Sequence, residues 1–382
     1  MVQKINIQGL YYIAHFDNIP SILENGILSH QSRENNPREN RPIYNSEIVD
    51  RRQGRIVRDG LSLWNCVNLY FQPRNTMLYS VIHKASINNL AILFVNKNIL
   101  DRKDIFVTTG NAASLDSEII PIEKANSNYW SKLKKEINKE WWNSEDGSKR
   151  KIMAECLVPD KIPPNYIETI YVAGDRSREQ LSTMLAAAGI NKFKNSQITV
   201  DPKKFFQPDL SRRLTEKISL IRGDMFFSNM QTLTVTVNCV GVMGKGLAST
   251  AKYRFPDVYV KYQEVCKNKK LQIGKPYLYK RELSIRDQLG DETLLLEPNL
   301  NGNSQTWFLL FPTKNHWKNN SDLAEIEKGL QWLCNNYKSE GIKSLAMPAL
   351  GCGLGGLQWR EVGPLMWEHP IFVKISNIRF FI

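Results

Sequence analysis

Short apolar runs alternate with polar, turn-forming stretches along the first half of the chain. LYYIAHF (10–16), NLYF (68–71), AILFV (91–95), DIFVTT (104–109) and IETIYVAG (167–174) are rich in aromatic and β-branched residues, which predicts strands. IPSILENGIL (19–28) has apolar residues at helical spacing, with Asp17 or Asn18 as a cap and Gly26 at its C-terminal end. The 127–143 segment and REQLSTMLAAAGI (178–190), closed by Gly189, predict further helices. Strands outside an alternating βαβ order predict an α+β domain.

The second half repeats strand, loop and helix three times. LTVTVNCV (233–240), TWFLLFP (306–312) and SLAMPAL (344–350) predict buried strands. ASTAKYRF, AEIEKGLQWLCNNYKSEG and LQWREVGPLMW predict the helices that follow them. That rhythm predicts a layered α/β sheet with ligand loops at the carboxyl ends of its strands. Neither periodicity runs through KNSQITVDPKKFFQPDLSRR, where prolines, turn formers and charge accumulate. The division is placed there: residues 1–207 form one domain, 208–212 a linker and 213–382 a second domain.

Composition narrows this picture. The 382 residues suit two domains, and 42% hydrophobic with 23% charged residues excludes wholesale disorder. The net charge of +13 suggests a polyanionic partner, nucleic acid before membrane. It is shared, with 28 basic against 22 acidic residues in 1–207 and 23 against 16 in 208–382. No apolar run reaches membrane-spanning length and the start of the chain lacks a leader pattern, so a cytoplasmic protein is expected. Six cysteines without CxxC or Cys/His spacing suggest reduced thiols; no metal is expected.

Two glycine-rich loops follow strands and precede helices: Val240–Gly246 and Gly351–Gly356. Such loops bring backbone N–H groups close to an anion at a helix N-terminus, though tight turns in a sheet would look the same. The first is not a Walker A loop, because Cys239 and Gly246 stand where Gly and Ser or Thr are needed. Gly223-Asp224-Met225, VNCVGVMGKGLA, FPTKNHW and PALGCGLGGLQW together resemble the DarG type of macrodomain, an ADP-ribose-binding α/β/α fold that removes ADP-ribose from DNA. The resemblance implies that Asp224 holds the adenine amino group with Met225 beside it, and that Asn238 faces the distal ribose. It implies that Gly244, Lys245, Gly246, Leu247, Gly351, Cys352, Gly353, Leu354 and Gly355 wrap the pyrophosphate and ribose. Lys314 would be the hydrolytic residue, ahead of Lys245 and His316. A lysine amine can attack an anomeric carbon or orient water when burial or a second cation lowers its pKa. Related glycohydrolases with a lysine–aspartate pair carry Asp where this chain has Gly355, which favours the DarG type.

The first half holds an arginine cluster (Arg51, Arg52, Arg55, Arg58) followed by NLYFQPRNTMLY. Interleaved basic and aromatic residues suit a phosphate backbone with unstacked bases, or equally a solvated basic helix beside a core strand. Glu155 lies in the apolar run IMAECLVP, and a buried carboxylate needs a partner. Tyr11, Tyr12 and His15 precede a capped helix. YYIAHFDNIPSILENGIL, EIVDRRQGRIV, NLYFQPRNTMLY and AECLV resemble the DarT family of DNA ADP-ribosyltransferases. This implies an α+β NAD-binding fold like other ADP-ribosyltransferases. The implied reaction moves ADP-ribose from NAD, consumed as a substrate, to a base in single-stranded DNA, typically thymidine.

Carried over by residue, Tyr12, Ile13, Ala14 and His15 contact nicotinamide, and Ser21 and Leu28 line the NAD pocket. Arg52 and Glu155 occupy the catalytic arginine and glutamate positions. The family usually has His where this chain has Tyr12. Tyr70, Arg74, Lys149, Arg150 and Lys151 are candidates for DNA contact; for the last three a solvated loop fits as well. A fused toxin–antitoxin pair with no obligate protein partner is the leading expectation. A macrodomain that only reads ADP-ribose, or a transferase acting on protein or RNA, are the alternatives.

Overall fold

The computed structural model describes residues 7–34, 43, 52–190, 197–290 and 305–382. The described residues separate into two compact units. The first runs to Gln207 and includes a return segment from Arg286; the second holds Pro208–Ile285 and the remainder of the C-terminal half.

The first unit is built on an eight-stranded sheet. Its order is Ile198–Val200, Ile167–Val172, Leu90–Asn96, Gly9–His15, Cys66–Tyr70, Glu155–Pro159, Phe106–Thr108 and Ile119–Pro121. All recorded pairings are antiparallel except that of Ile167–Val172 with Ile198–Val200. Leu90–Asn96 is buried on both faces from Leu90 to Leu93, which is why it reads as an unbroken apolar run. The predicted 19–28 helix ends early, at Asn25. Gly26 takes φ +90°, and a Cβ there would sit 2.2 Å from the Ile162 carbonyl oxygen, so Ile27–Leu28 turns away to pair with Lys161–Ile162. The predicted 127–143 helix stops at Ile137. Beyond it Trp142 is drawn into the core, where its Nε1 donates to the Leu289 carbonyl at 2.9 Å, a tertiary contact that overrides local helix preference.

The second unit has a seven-stranded sheet ordered Leu210–Arg213, Ile218–Arg222, Asn377–Phe381, Ser344–Pro348, Thr232–Asn238, Trp307–Lys314 and Tyr277–Tyr279. The five inner strands are parallel and the two edges antiparallel. The segment expected as a linker enters the sheet at Leu210, so residues 210–212 belong to an edge strand. Trp307–Lys314 shows how both faces are covered. Phe308 packs on Phe255, ring centroids 4.8 Å apart. Phe311 faces the Leu323–Glu340 helix at Gly329, where a Cβ would lie 2.4 Å from its ring. Helices on opposite faces of a parallel sheet make this unit an α/β/α domain.

Candidate active sites

In the first unit Glu155 opens its strand opposite Tyr70 and is fully buried. Its Oε2 accepts from Arg52 Nη2 at 3.0 Å, and its Oε1 accepts from the backbone N–H of Ala112 at 2.9 Å. The Glu155 N–H donates to Thr108 Oγ1 at 2.8 Å, and that hydroxyl donates to the Gly110 carbonyl at 2.6 Å. Residues 108–112 are thus folded onto the carboxylate. Ser117 braces the same loop: its Oγ accepts from Arg150 and its carbonyl from Arg55. Burial acts to lower the pKa of the Arg52 guanidinium, but the charge and hydrogen bond of Glu155 outweigh it, and the net direction is upward. Two charges this deep are tolerable because each satisfies the other.

Beside the pair, the central sheet opens. The Gly9–His15 strand pairs along its whole length with Leu90–Asn96, but with Cys66–Tyr70 only at Tyr11↔Tyr70. Tyr12 is half-buried, and its hydroxyl accepts from Arg33 Nη2 at 2.9 Å; Arg33 also holds the Leu28 carbonyl. Ile13 and Ala14 are core residues. His15 is buried and its Nδ1 accepts from the Asp17 N–H, capping a short helix. Ser21 lies on the Ile19–Asn25 helix and is tied to Asn25. His30 stacks on Trp64, centroids 4.5 Å apart, and burial together with the charges of Arg33 and Arg52 pushes its pKa down to about 3.

The DNA-contact candidates separate. Tyr70 is buried, so it offers no exposed stacking face. Arg74 lies over the Phe206 ring at 4.9 Å, and Arg150 braces the Ser117 loop. Arg74 and Arg150 are half-buried and engaged within the protein, and Lys149 and Lys151 are half-buried as well. Arg51 lies outside the described residues.

In the second unit both glycine loops line one cleft of about 1030 Å³. Gly244, Lys245, Gly246 and Leu247 form one wall and Gly351, Cys352, Gly353, Leu354 and Gly355 the other. Gly351 has φ +70°, and a Cβ there would meet Ile326, Leu357 and Ser321 at 2.8–3.0 Å, so only glycine fits this turn. Lys314 ends its strand at the cleft floor; its Nζ donates to the Leu354 carbonyl at 2.8 Å and the Asn319 carbonyl at 3.1 Å. The charged side chains of the lining are Lys245, Lys314 and Lys318.

Asn238 lines the cleft, but its amide works on the protein. Nδ2 donates to the Val242 carbonyl, and Oδ1 accepts from Val240 N–H and the Tyr262 hydroxyl. It shapes the first glycine loop. Asp224 and Met225 fall outside the cleft lining. Met225 is buried, while Asp224 caps a short helix through Phe226 N–H and pairs with Arg254 Nη1 at 2.6 Å. His316 turns its Nδ1 to the Lys318 N–H. Sequence reasoning missed Thr108, Ala112, Ser117 and Arg33. Ala112 acts through its backbone, which leaves no trace in residue type.

The first domain is thus a mixed sheet carrying a buried arginine–glutamate pair, and the second an α/β/α domain whose cleft holds a lysine between two glycine loops. The family model described as "ssDNA thymidine ADP-ribosyltransferase, DarT" matches residues 11–206, and the Macro domain model matches 302–366. A Thermosipho africanus "DNA ADP-ribosyl transferase-DNA ADP-ribosyl glycohydrolase fusion protein" is 52% identical over 96% of this chain and 92% of its own length. The solved structure of Thermosipho africanus DarTG in complex with ADP-ribose is 49% identical, with a TM-score of 0.89, over 98% of this chain and 95% of that one. A Thermus aquaticus DNA ADP-ribosyl glycohydrolase is 36% identical over 38% of this chain and 35% of its own. The chain belongs to the DarT–DarG fusion family: a DNA ADP-ribosyltransferase followed by a DNA ADP-ribosyl glycohydrolase.

Proposed function

We propose that the first domain transfers ADP-ribose from NAD to a thymine base of single-stranded DNA through Arg52 and Glu155, and that the second removes it through Lys314. The observation that carries this reading is the fully buried Glu155 carboxylate held between Arg52 and the Ala112 N–H. Transfer breaks the nicotinamide–ribose bond, forms a bond from ribose to a thymine ring nitrogen, and releases the ring proton. Glu155 stabilises the positive charge that develops on the ribose and accepts or relays that proton. Arg52 stays charged throughout and polarises the carbonyl beside the ring nitrogen. NAD supplies the activated ribose. The opened edge of Tyr12–His15 offers backbone groups to the nicotinamide amide, and Arg33 fixes the Tyr12 ring next to it.

In the second domain water adds to the ribose carbon as the bond to the base breaks, and the base takes up a proton. Two of the three Nζ donors of Lys314 are held by carbonyls, which leaves one for a substrate oxygen at a fixed place. Lys245 and the backbone N–H groups of the glycine loops suit the pyrophosphate. No helix among the described residues is long and apolar enough to cross a membrane, and six free cysteines fit a reducing cytoplasm.

The test is incubation of the whole chain with NAD and a thymidine-containing oligonucleotide. Glu155→Ala is expected to leave the oligonucleotide unmodified, and Lys314→Ala to accumulate more adduct than wild type. Unchanged modification by Glu155→Ala, or no accumulation with Lys314→Ala, overturns the corresponding half. Label on protein instead of DNA overturns the choice of acceptor.

A further inference from the structure

The Lys314 strand runs into a turn at 315–319 whose geometry the proposed reaction leaves unused. Asn319 N–H donates to the His316 carbonyl at 3.0 Å, Lys318 N–H donates to His316 Nδ1, and Cys239 N–H donates to the Asn315 carbonyl at 3.0 Å. Lys314 Nζ closes the turn from below through the Asn319 carbonyl. On this fixed turn Trp317 lines the cleft yet stands 51% exposed. A tryptophan is normally drawn into a core, and here its own turn holds it out. His316 tilts against it, centroids 5.3 Å apart, and Lys318 Nζ lies over its ring, 5.1 Å from the centroid, a cation that an incoming phosphate can draw aside.

Substrate chemistry gives this shelf an occupant. ADP-ribose attached to DNA brings with it a base at the anomeric carbon, and a phosphodiester strand leading away in both directions. Once Lys314 lies at that carbon, the base and its neighbours must emerge at the cleft mouth. An exposed indole beside an ammonium matches an unstacked base next to a phosphate. Free ADP-ribose requires neither group.

We propose that Trp317 is a stacking platform for a nucleobase of the modified strand, with Lys318 on the adjacent phosphate. This pair would make the glycohydrolase selective for ADP-ribose carried on single-stranded DNA. The inference rests on the hydrolytic reading given above. Trp317 and Lys318 are positioning residues and leave the chemistry to Lys314.

The experiment uses the full chain without NAD, acting on an oligonucleotide already modified by the Lys314→Ala variant, and on the ADP-ribosyl nucleoside that nuclease digestion liberates from it. Trp317→Ala is expected to raise KM for the oligonucleotide about ten-fold, the effect of one lost base stack, with kcat retained. Trp317→Phe should recover most of the loss, since the platform needs a ring and not an indole N–H. Wild type should prefer the oligonucleotide to the nucleoside, and Trp317→Ala should erase that preference. Lys318→Gln should reduce the salt dependence of KM by about one phosphate contact. An unchanged oligonucleotide KM in Trp317→Ala, or a loss of equal size on the nucleoside, overturns the platform. A wild-type chain that hydrolyses neither substrate overturns the underlying hydrolase reading instead, so the two failures are distinguishable.

Discussion

Arg52 and Glu155, 103 positions apart in sequence, meet at 3.0 Å inside the transferase domain, with the carboxylate wholly buried. Each neutralises a charge that the interior would otherwise not tolerate. Glu155→Gln keeps the shape and should lower transfer about 10²–10³-fold, the usual consequence of losing one preorganised electrostatic group. It should also destabilise the domain, since Arg52 loses its charged partner; breaking one side of a buried pair costs about 3–5 kcal/mol. Single-turnover transfer and chemical denaturation measure the two effects separately.

Arg150 distinguishes a brace from a DNA clamp. It donates to Ser117 Oγ, in the loop that presents Ala112 N–H to Glu155. Arg150→Ala should slow transfer about ten-fold by loosening that hydrogen bond, an effect near 1.4 kcal/mol. The slope of log binding against log salt should stay unchanged. A slope reduced by about one would instead mark a phosphate contact.

His30 makes the transferase domain acid-sensitive. Burial, with Arg33 and Arg52 nearby, holds its folded pKa at about 3, well below the ordinary value of 6.5. Below pH 6.5 the unfolded chain takes up a proton that the folded chain does not. This contribution to stability is therefore complete above pH 6.5 and lost as the pH falls toward 3. His30→Phe retains a ring against Trp64 and removes the titration. Its melting temperature should fall less than that of wild type between pH 6.5 and 5, a window above most carboxylate titration.

Gly351→Ala tests the macrodomain cleft. The added methyl meets three neighbours at 2.8–3.0 Å in a backbone of φ +70°. Strain and overpacking should cost about 1–3 kcal/mol and displace the second glycine loop. Weakened ADP-ribose binding by calorimetry is expected, with DNA transfer in the first domain unaffected.

The apolar patterns determined most of the elements. Leu90–Asn96 and Trp307–Lys314 are buried strands announced by continuous apolar runs, Thr232–Asn238 by β-branched residues and Ser344–Pro348 by a short apolar run. The helix predicted over 324–341 forms over Leu323–Glu340, closed by Gly341 in the left-handed region. Residue type and motif also singled out Arg52, Glu155, Lys314 and the glycine loops. Tertiary structure decided what these residues touch, because sheet order and burial are not local properties. It set Tyr70 in the core and Arg74 on Phe206, and it turned Arg150 to a loop. It folded the Asn238 amide onto its own loop and recruited the Ala112 N–H, a donor every residue but proline owns, to the Glu155 carboxylate. The sequence named the charged groups; long-range packing chose their partners, because a buried charge or amide is stable only where the fold brings a complementary group to it.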